Sequence, residues 1–265
     1  MQAISDAAAK QDADAVVAIF GPDGKDLVDT TDPATTRQNR EVFVAAMREG
    51  WHLTDAGATK VLVIGNEQWP FPVPLVKDEG GWHFDTAAGK EEIIARRIGR
   101  NELTVIRLCK TYAAAQRLYA STGHDGNPAG IYAASFGSSP GKQDGLYWQT
   151  RIGERRSPLG ELFQEGEQRA SAAGPPTPFR GYYFRILAGQ GPSAAGGAKD
   201  YRIDGRVTGG FALVAWPAYY DASGIMTFLI NQDGVVYQKD LGPDTAKTVA
   251  DLRLYDPDPS WTMVQ

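Results

Sequence analysis

The sequence is poor in the residues that most catalytic and metal centres use. One cysteine, Cys109, stands among 265 residues, which excludes a disulfide framework and any multi-cysteine metal centre within one chain. There are three histidines, His52, His83 and His124, and no spacing puts two on one helical or strand face. With no HExxH pattern either, no metal or cofactor is expected. No apolar run approaches the ~20 residues a membrane-crossing helix needs. Basic charge is also short: Lys+Arg 27 against Asp+Glu 32 leaves a net charge of −5. That balance argues against a general nucleic-acid binder, which neutralises phosphates with a basic face.

What is present in excess is Gly 30 with Pro 16, against a usual share of roughly 12% for the two together. The excess is local. Prolines concentrate in Trp69–Pro74 and in a Pro175–Pro178 connector, and glycines fill turns and the 121–210 region. With 42% hydrophobic residues, the chain reads as globular, with loop-rich sheets rather than disorder.

Met1 opens directly into a helical pattern, without the basic and apolar segments of a signal peptide. Such an opening is expected of a mature exported domain whose leader has been removed. Residues 1–20 read as one or two short helices with Asp12 as an N-cap, stopped by Gly21-Pro-Asp-Gly24. Asp32-Pro33 opens another helix, with Val42, Phe43, Ala46 and Met47 on one face and Gly50 at its end. Lys60–Ile64 is a strand, and Trp69–Val76 an edge or bulged strand because its prolines cannot donate to a ladder. Asp78–Gly81 turns into a return strand from Trp82 to Asp85.

From Thr86 a helical pattern runs for about 35 residues, with Gly99 as the expected kink or break. Residues 121–178 are expected to hold short helices, with apolar islands at Ile131-Tyr132, Leu146–Trp148 and Leu159–Phe163. The last third reads as strands at Gly181–Leu187, Gly210–Trp216, Ile225–Ile230 and Val235–Tyr237, with Asn231–Gly234 as a hairpin loop. Helices followed by strands, twice over, predict an α+β protein in two domains, 1–98 and 99–265.

Three long stretches carry a family resemblance: Trp69-Pro-Phe-Pro-Val-Pro-Leu-Val-Lys77, Phe84-Asp-Thr-Ala-Ala-Gly-Lys-Glu-Glu92 and Arg96-Arg-Ile-Gly-Arg-Asn-Glu102. With Gly210–Pro217 and Asn231–Tyr237, they resemble the signature of an uncharacterised family of exported bacterial proteins. That resemblance implies a periplasmic or exported location and no known activity. Residues 101–237 also resemble the globular domain of type IV pilin-like and pseudopilin proteins. The match runs through Asn101-Glu102, Leu108–Thr111, Ala115-Gln116 and Tyr119-Ala120, then Gly181–Phe184, Ala215–Pro217, Gly224–Phe228 and Asp233–Val235. The apolar N-terminal spine of a pilin is missing before Asn101. The first third looks similar to the nuclear transport factor two-like fold, a cone-shaped unit with a pocket between sheet and helices.

The chemistry-bearing residues have ordinary readings beside their functional ones. Cys109 lies in the helical stripe as a small buried residue. Glu92 and Arg96 are four apart, at ion-pair spacing. Asp125–Gly130 matches only part of a calcium loop, with Ala129 and Phe136 where ligands should stand. Gly137-Ser-Ser139-Pro-Gly141 mimics a nucleophile elbow, but Pro140 lacks the N–H an oxyanion hole needs and no histidine follows His124. Gly189–Ala194 mimics a dinucleotide loop, with Gly196-Gly197 where a helix should start.

The expectation is therefore a small helix-on-hairpin N-terminal unit followed by a pilin-like long helix packed on an antiparallel sheet. Its role would be non-enzymatic interaction or assembly in the cell envelope, with an envelope protein as partner. The alternative is binding or turnover of a small molecule in an aromatic-lined N-terminal pocket, with Trp69, Phe71, Trp82, Phe84, Asp85 and Lys90 as its residues.

Overall fold

A computed structural model describes residues 2–21, 24, 33–150, 153, 156–160 and 177–264. The protein is α+β, and the chain divides into two compact units, Met1–Arg96 and Arg97–Gln265.

The first unit packs α1 (Gln2–Ala9), α2 (Ala13–Phe20) and α3 (Pro33–Glu49) on an antiparallel sheet. Its strands are β1 (Trp51–Ala56), β2 (Thr59–Ile64), β3 (Trp69–Pro70), β4 (Leu75–Asp78) and β5 (Gly81–Phe84), in the order β1-β2-β4-β5 with β3 also on β2. Asp12 caps α2 by accepting the Ala15 N–H at 2.9 Å. The core joins Ile4, Val16, Phe20 and Met47 of the helices to Leu62, Ile64 and Val73. The proline-rich stretch takes the bulged alternative. It breaks into β3 and β4 at Phe71–Pro74, so β4 can lie inside the sheet between β2 and β5. Phe71 still donates its N–H to Leu62 O at 2.7 Å.

Helix α4 (Thr86–Ala120) runs through Gly99 without the expected break. The reason is local: Gly99 is exposed, and a methyl group there would meet nothing within 4 Å. One glycine lowers helix propensity by about 1 kcal/mol, too little to interrupt a helix buried along one side.

In the second unit, a five-stranded antiparallel sheet has the order β14-β13-β12-β11-β6. The strands are β6 (Tyr182–Leu187), β11 (Ala212–Pro217), β12 (Met226–Asn231), β13 (Val236–Asp240) and β14 (Thr262–Met263). Short pairs β7 (Gly189–Gln190) with β8 (Lys199–Asp200), and β9 (Arg202–Ile203) with β10 (Arg206–Val207), lie outside it. Both faces of the sheet are covered. Leu213, Ala215, Phe228 and Ile230 pack with Val105, Cys109, Tyr112 and Tyr119 of α4. Ala212, Val214 and Leu229 pack on the other face with Val249 of α5 (Thr245–Asp251), Tyr255 and Trp261. This explains why β11 and β12 read as continuous apolar runs rather than alternating ones.

One more expectation changes in part. Within 121–178, residues 121–150 form turns and an isolated bridge between Gly137 and Tyr147 rather than short helices, because Tyr132, Phe136 and Tyr147 lean on the α4 core from loops, whereas Gly160 is helical. Seven elements carried too weak a pattern to expect: β1, α5, β14 and the two-residue strands β7 to β10. Met1, Pro22-Asp23, Asp32, Glu161–Phe163 and Pro175-Pro176 lie outside the described residues.

Candidate functional site

The six residues expected around an N-terminal pocket fall into three groups. Phe71 and Phe84 are half-buried in the core. Their ring centroids lie 6.0 Å apart, and 6.2 and 4.9 Å from that of Phe20. Phe43 of α3 adds a fourth ring 5.4 Å from Phe71. Trp69 and Trp82 stand at the rim of the sheet, 44% and 45% exposed. Each is paired with a cation: the Arg96 guanidinium is 5.6 Å from the Trp69 ring and the Lys60 ammonium 5.3 Å from the Trp82 ring. Such pairs contribute about 0.5–1 kcal/mol at exposed sites.

Asp85 and Lys90 belong to the start of α4. Asp85 is its cap: Oδ1 accepts the Ala88 N–H at 3.0 Å, and its own N–H donates to Pro74 O at 2.9 Å. Lys90 is half-buried on the same helix and has partners within the fold. The sequence thus grouped six residues whose local duties differ: two pack, two form the rim, one caps and one lies on the helix side.

The three long sequence stretches acquire a joint meaning. Gly89 lets α4 sit on Val73, since a methyl group there would come within 2.7 Å of a Val73 methyl carbon. Arg96 binds Glu92 Oε1 and Pro70 O, each at 2.7 Å. Within the second unit, the same helix holds the β11–β12 loop. Arg97 donates to Ala222 O, Asn101 to Ser223 O, and Glu102 Oε1 accepts the Ile225 and Met226 N–H groups, both at 2.9 Å. Tyr182 adds its hydroxyl to Met226 O at 3.0 Å, and burial with the Glu102 charge beside it pushes that phenol far above its usual range. These stretches encode how α4 docks in each unit.

The catalytic residue types are committed elsewhere. Cys109 is fully buried, and desolvation pushes its thiol from 9.0 up to about 12, so it is not a nucleophile at neutral pH. His124 stacks on Tyr119 with centroids 4.1 Å apart. Its Nε2 lies 3.0 Å from Tyr119 O and its Nδ1 3.3 Å from Gln143 Oε1, so both nitrogens are occupied. Asp125 Oδ2 accepts the Gln143 N–H at 2.8 Å. The Ser139 N–H bonds Asp144 within a turn. At Gly191 the Asp256 carboxylate lies against the glycine and accepts the Ser193 N–H, a charge that would repel a phosphate. His83 faces away from Phe84 and lies 3.5 Å from Asp78. Among the described residues, no group of three or more His, Cys, Asp or Glu side chains gathers as a metal site would require. None of the described helices is long and apolar enough to cross a membrane.

The feature that sequence reasoning missed is β1. All six of its residues are exposed. Among the described residues it forms the outer edge of its sheet, in unbroken register with β2 from Trp51↔Ile64 to Ala56↔Thr59. Trp51 stands opposite Ile64 and Leu53 opposite Leu62, and directly opposed residues share a face. Leu62 and Ile64 are buried, whereas Trp51 and Leu53 remain 46% and 40% exposed, so among the described residues the helices cover β2 more fully than β1. Natural edge strands are usually blunted by proline, lysine or a bulge. β1 has none of these, and its one carboxylate, Asp55, is paired with Lys60. The alternation Trp51, Leu53, Asp55 ahead of Gly57 was the available signal. No curated protein and no solved structure matches the chain. The profile of one family matches residues 1–264, and on that match the chain belongs to DUF2950, a family of proteins of unknown function.

Proposed function

We propose that this protein is a non-enzymatic interaction protein of the cell envelope, exported there, that takes an extended segment of a partner protein onto the edge of β1. The observation that carries the reading is the unguarded edge itself: six exposed residues in regular register, Trp51 and Leu53 among them. An added strand gains affinity from main-chain hydrogen bonds and specificity from alternate side chains. Here the incoming chain would lay apolar side chains beside Trp51 and Leu53. The committed roles of Cys109, His124, Asp85 and Glu102 support a binding rather than a catalytic reading.

A displayed library of linear peptides, panned against the purified protein, tests this. Enriched sequences with apolar residues at every second position, whose binding is lost in Leu53→Lys, support it. No enrichment, or binding that survives Leu53→Lys, overturns it. A dimer dissolved by the same substitution would make a second copy of this chain the occupant instead. The exposed position of Leu53 keeps the stability effect of the substitution within about 0.5 kcal/mol.

A second reading draws on the paired rings and cations at Trp69–Arg96 and Trp82–Lys60. A flat, anionic small molecule would suit either pair. A thermal-shift screen whose hits vanish in Trp69→Ala or Trp82→Ala supports it, and hits insensitive to both changes contradict it.

A further inference from the structure

The outward face of α4 within the second unit carries one sign of charge. At 100° per residue, Arg100, Leu103, Arg107, Lys110, Ala114, Arg117 and Leu118 fall on one side of the helix, and all are exposed. The opposite side, through Val105, Cys109, Tyr112 and Gln116, is buried in the core. Between Arg97 and Ala120 the helix holds a single carboxylate, Glu102, and it is turned inward to the Ile225 and Met226 amides. Among the described residues, Arg100, Arg107, Lys110 and Arg117 make no ion pair. Arg107 binds the neighbouring Thr104 hydroxyl, and Arg117 binds Gln232 O. The result is a cationic ridge about 26 Å long at 1.5 Å per residue, on a chain whose net charge is −5.

Two of the more exposed large apolar side chains among the described residues lie within this ridge. Leu103 and Leu118 are both 59% exposed. A phosphodiester backbone would satisfy the cations and leave the leucines in water. A membrane surface offers both anionic headgroups and an apolar layer just beneath them. The net negative charge of the chain does not forbid this, because at physiological ionic strength charges beyond about 8 Å are screened.

We infer that the outward face of α4, from Arg100 to Leu118, docks the protein on an anionic phospholipid surface. The four cations lie at headgroup level and Leu103 and Leu118 dip below it. This site lies in the second unit and β1 in the first, so the two sites share no residue.

The test is flotation of the full chain with phosphatidylcholine vesicles, with and without phosphatidylglycerol, at low and high salt. Binding is expected only with phosphatidylglycerol, and it weakens as salt rises. Arg107→Gln with Lys110→Gln should reduce partitioning about five-fold per side chain, the equivalent of ~1 kcal/mol for each surface cation. Lys247→Gln with Arg253→Gln, which removes the same charge from other exposed positions, should leave it unchanged. Leu103→Ser with Leu118→Ser should weaken binding without altering its salt dependence. Equal binding to pure phosphatidylcholine, equal losses in both charge-neutralised pairs, or retention of a DNA duplex in preference to the vesicles would overturn the inference.

Discussion

Two glycines of α4 should respond in opposite senses to the same substitution. Replacing a helical glycine by alanine gains about 1 kcal/mol of propensity wherever the new methyl group has room. At Gly99 a methyl group meets nothing within 4 Å, so Gly99→Ala should stabilise by about 0.5–1 kcal/mol. At Gly89 the methyl group would stand 2.7, 2.8 and 3.0 Å from three side-chain carbons of Val73. Val73 is β-branched and 1% exposed, so it has little room to turn aside. Overpacking of this kind costs about 1–3 kcal/mol, which cancels or exceeds the propensity gain. Gly89→Ala should therefore lie between neutral and about 2 kcal/mol destabilising. Urea unfolding of both variants gives the comparison, read as shifts of midpoint at constant slope. Combining Gly89→Ala with Val73→Ala should recover a coupling of at least about 1 kcal/mol. If Gly89→Ala stabilises as much as Gly99→Ala, the helix is not seated on Val73 and the account of the three sequence stretches fails.

Glu102→Ala removes the acceptor shared by the Ile225 and Met226 N–H groups, and should cost about 2–3 kcal/mol while loosening the β11–β12 loop. Hydrogen exchange at those two amides is the readout. Asp85→Ala should cost about 1 kcal/mol through loss of the α4 cap, measured by chemical denaturation of the first unit. Cys109 is protonated in the fold up to about pH 12, while the unfolded thiol ionises near its usual 9.0. Its contribution is whole below pH 9.0 and declines between 9.0 and about 12 at up to roughly 1.4 kcal/mol per pH unit. Alkaline unfolding curves of the wild type and Cys109→Ala should therefore converge across that window. Tyr119 and Tyr201, raised by burial from 10.0 to about 12, act in the same direction.

Most of the regular structure was legible because it rests on strong local signals. The Asp12 cap, the long stripe of α4, and the Asp78–Gly81 and Asn231–Gly234 turns all form where their residue types demand. What escaped depends on tertiary context. α5 is seven residues with one buried apolar side chain, Val249, and it is held from outside when Arg185 of β6 donates to Val249 O and Leu252 O. Gly99 looks like a breaker in isolation, yet the buried face of α4 outweighs one flexible residue. The aromatic residues illustrate a different limit. Alternation shows that Trp82 and Phe84 share a face, but not that helical cover reaches Phe84 and stops short of Trp82. The edge position of β1 is equally invisible locally, since strand order is a property of the whole sheet. The same holds for the ridge of α4, whose single sign of charge depends on Glu102 turning inward.

The open edge of β1 is read out by amide hydrogen exchange over Trp51–Ala56, in the free protein and with a peptide selected on it. The outer β1 amides of the free protein should exchange fast. Peptide binding should slow them by about ten-fold or more, with β2 protected in both states. Outer amides already protected in the free protein, or exchange unchanged by a bound peptide, would contradict an open edge.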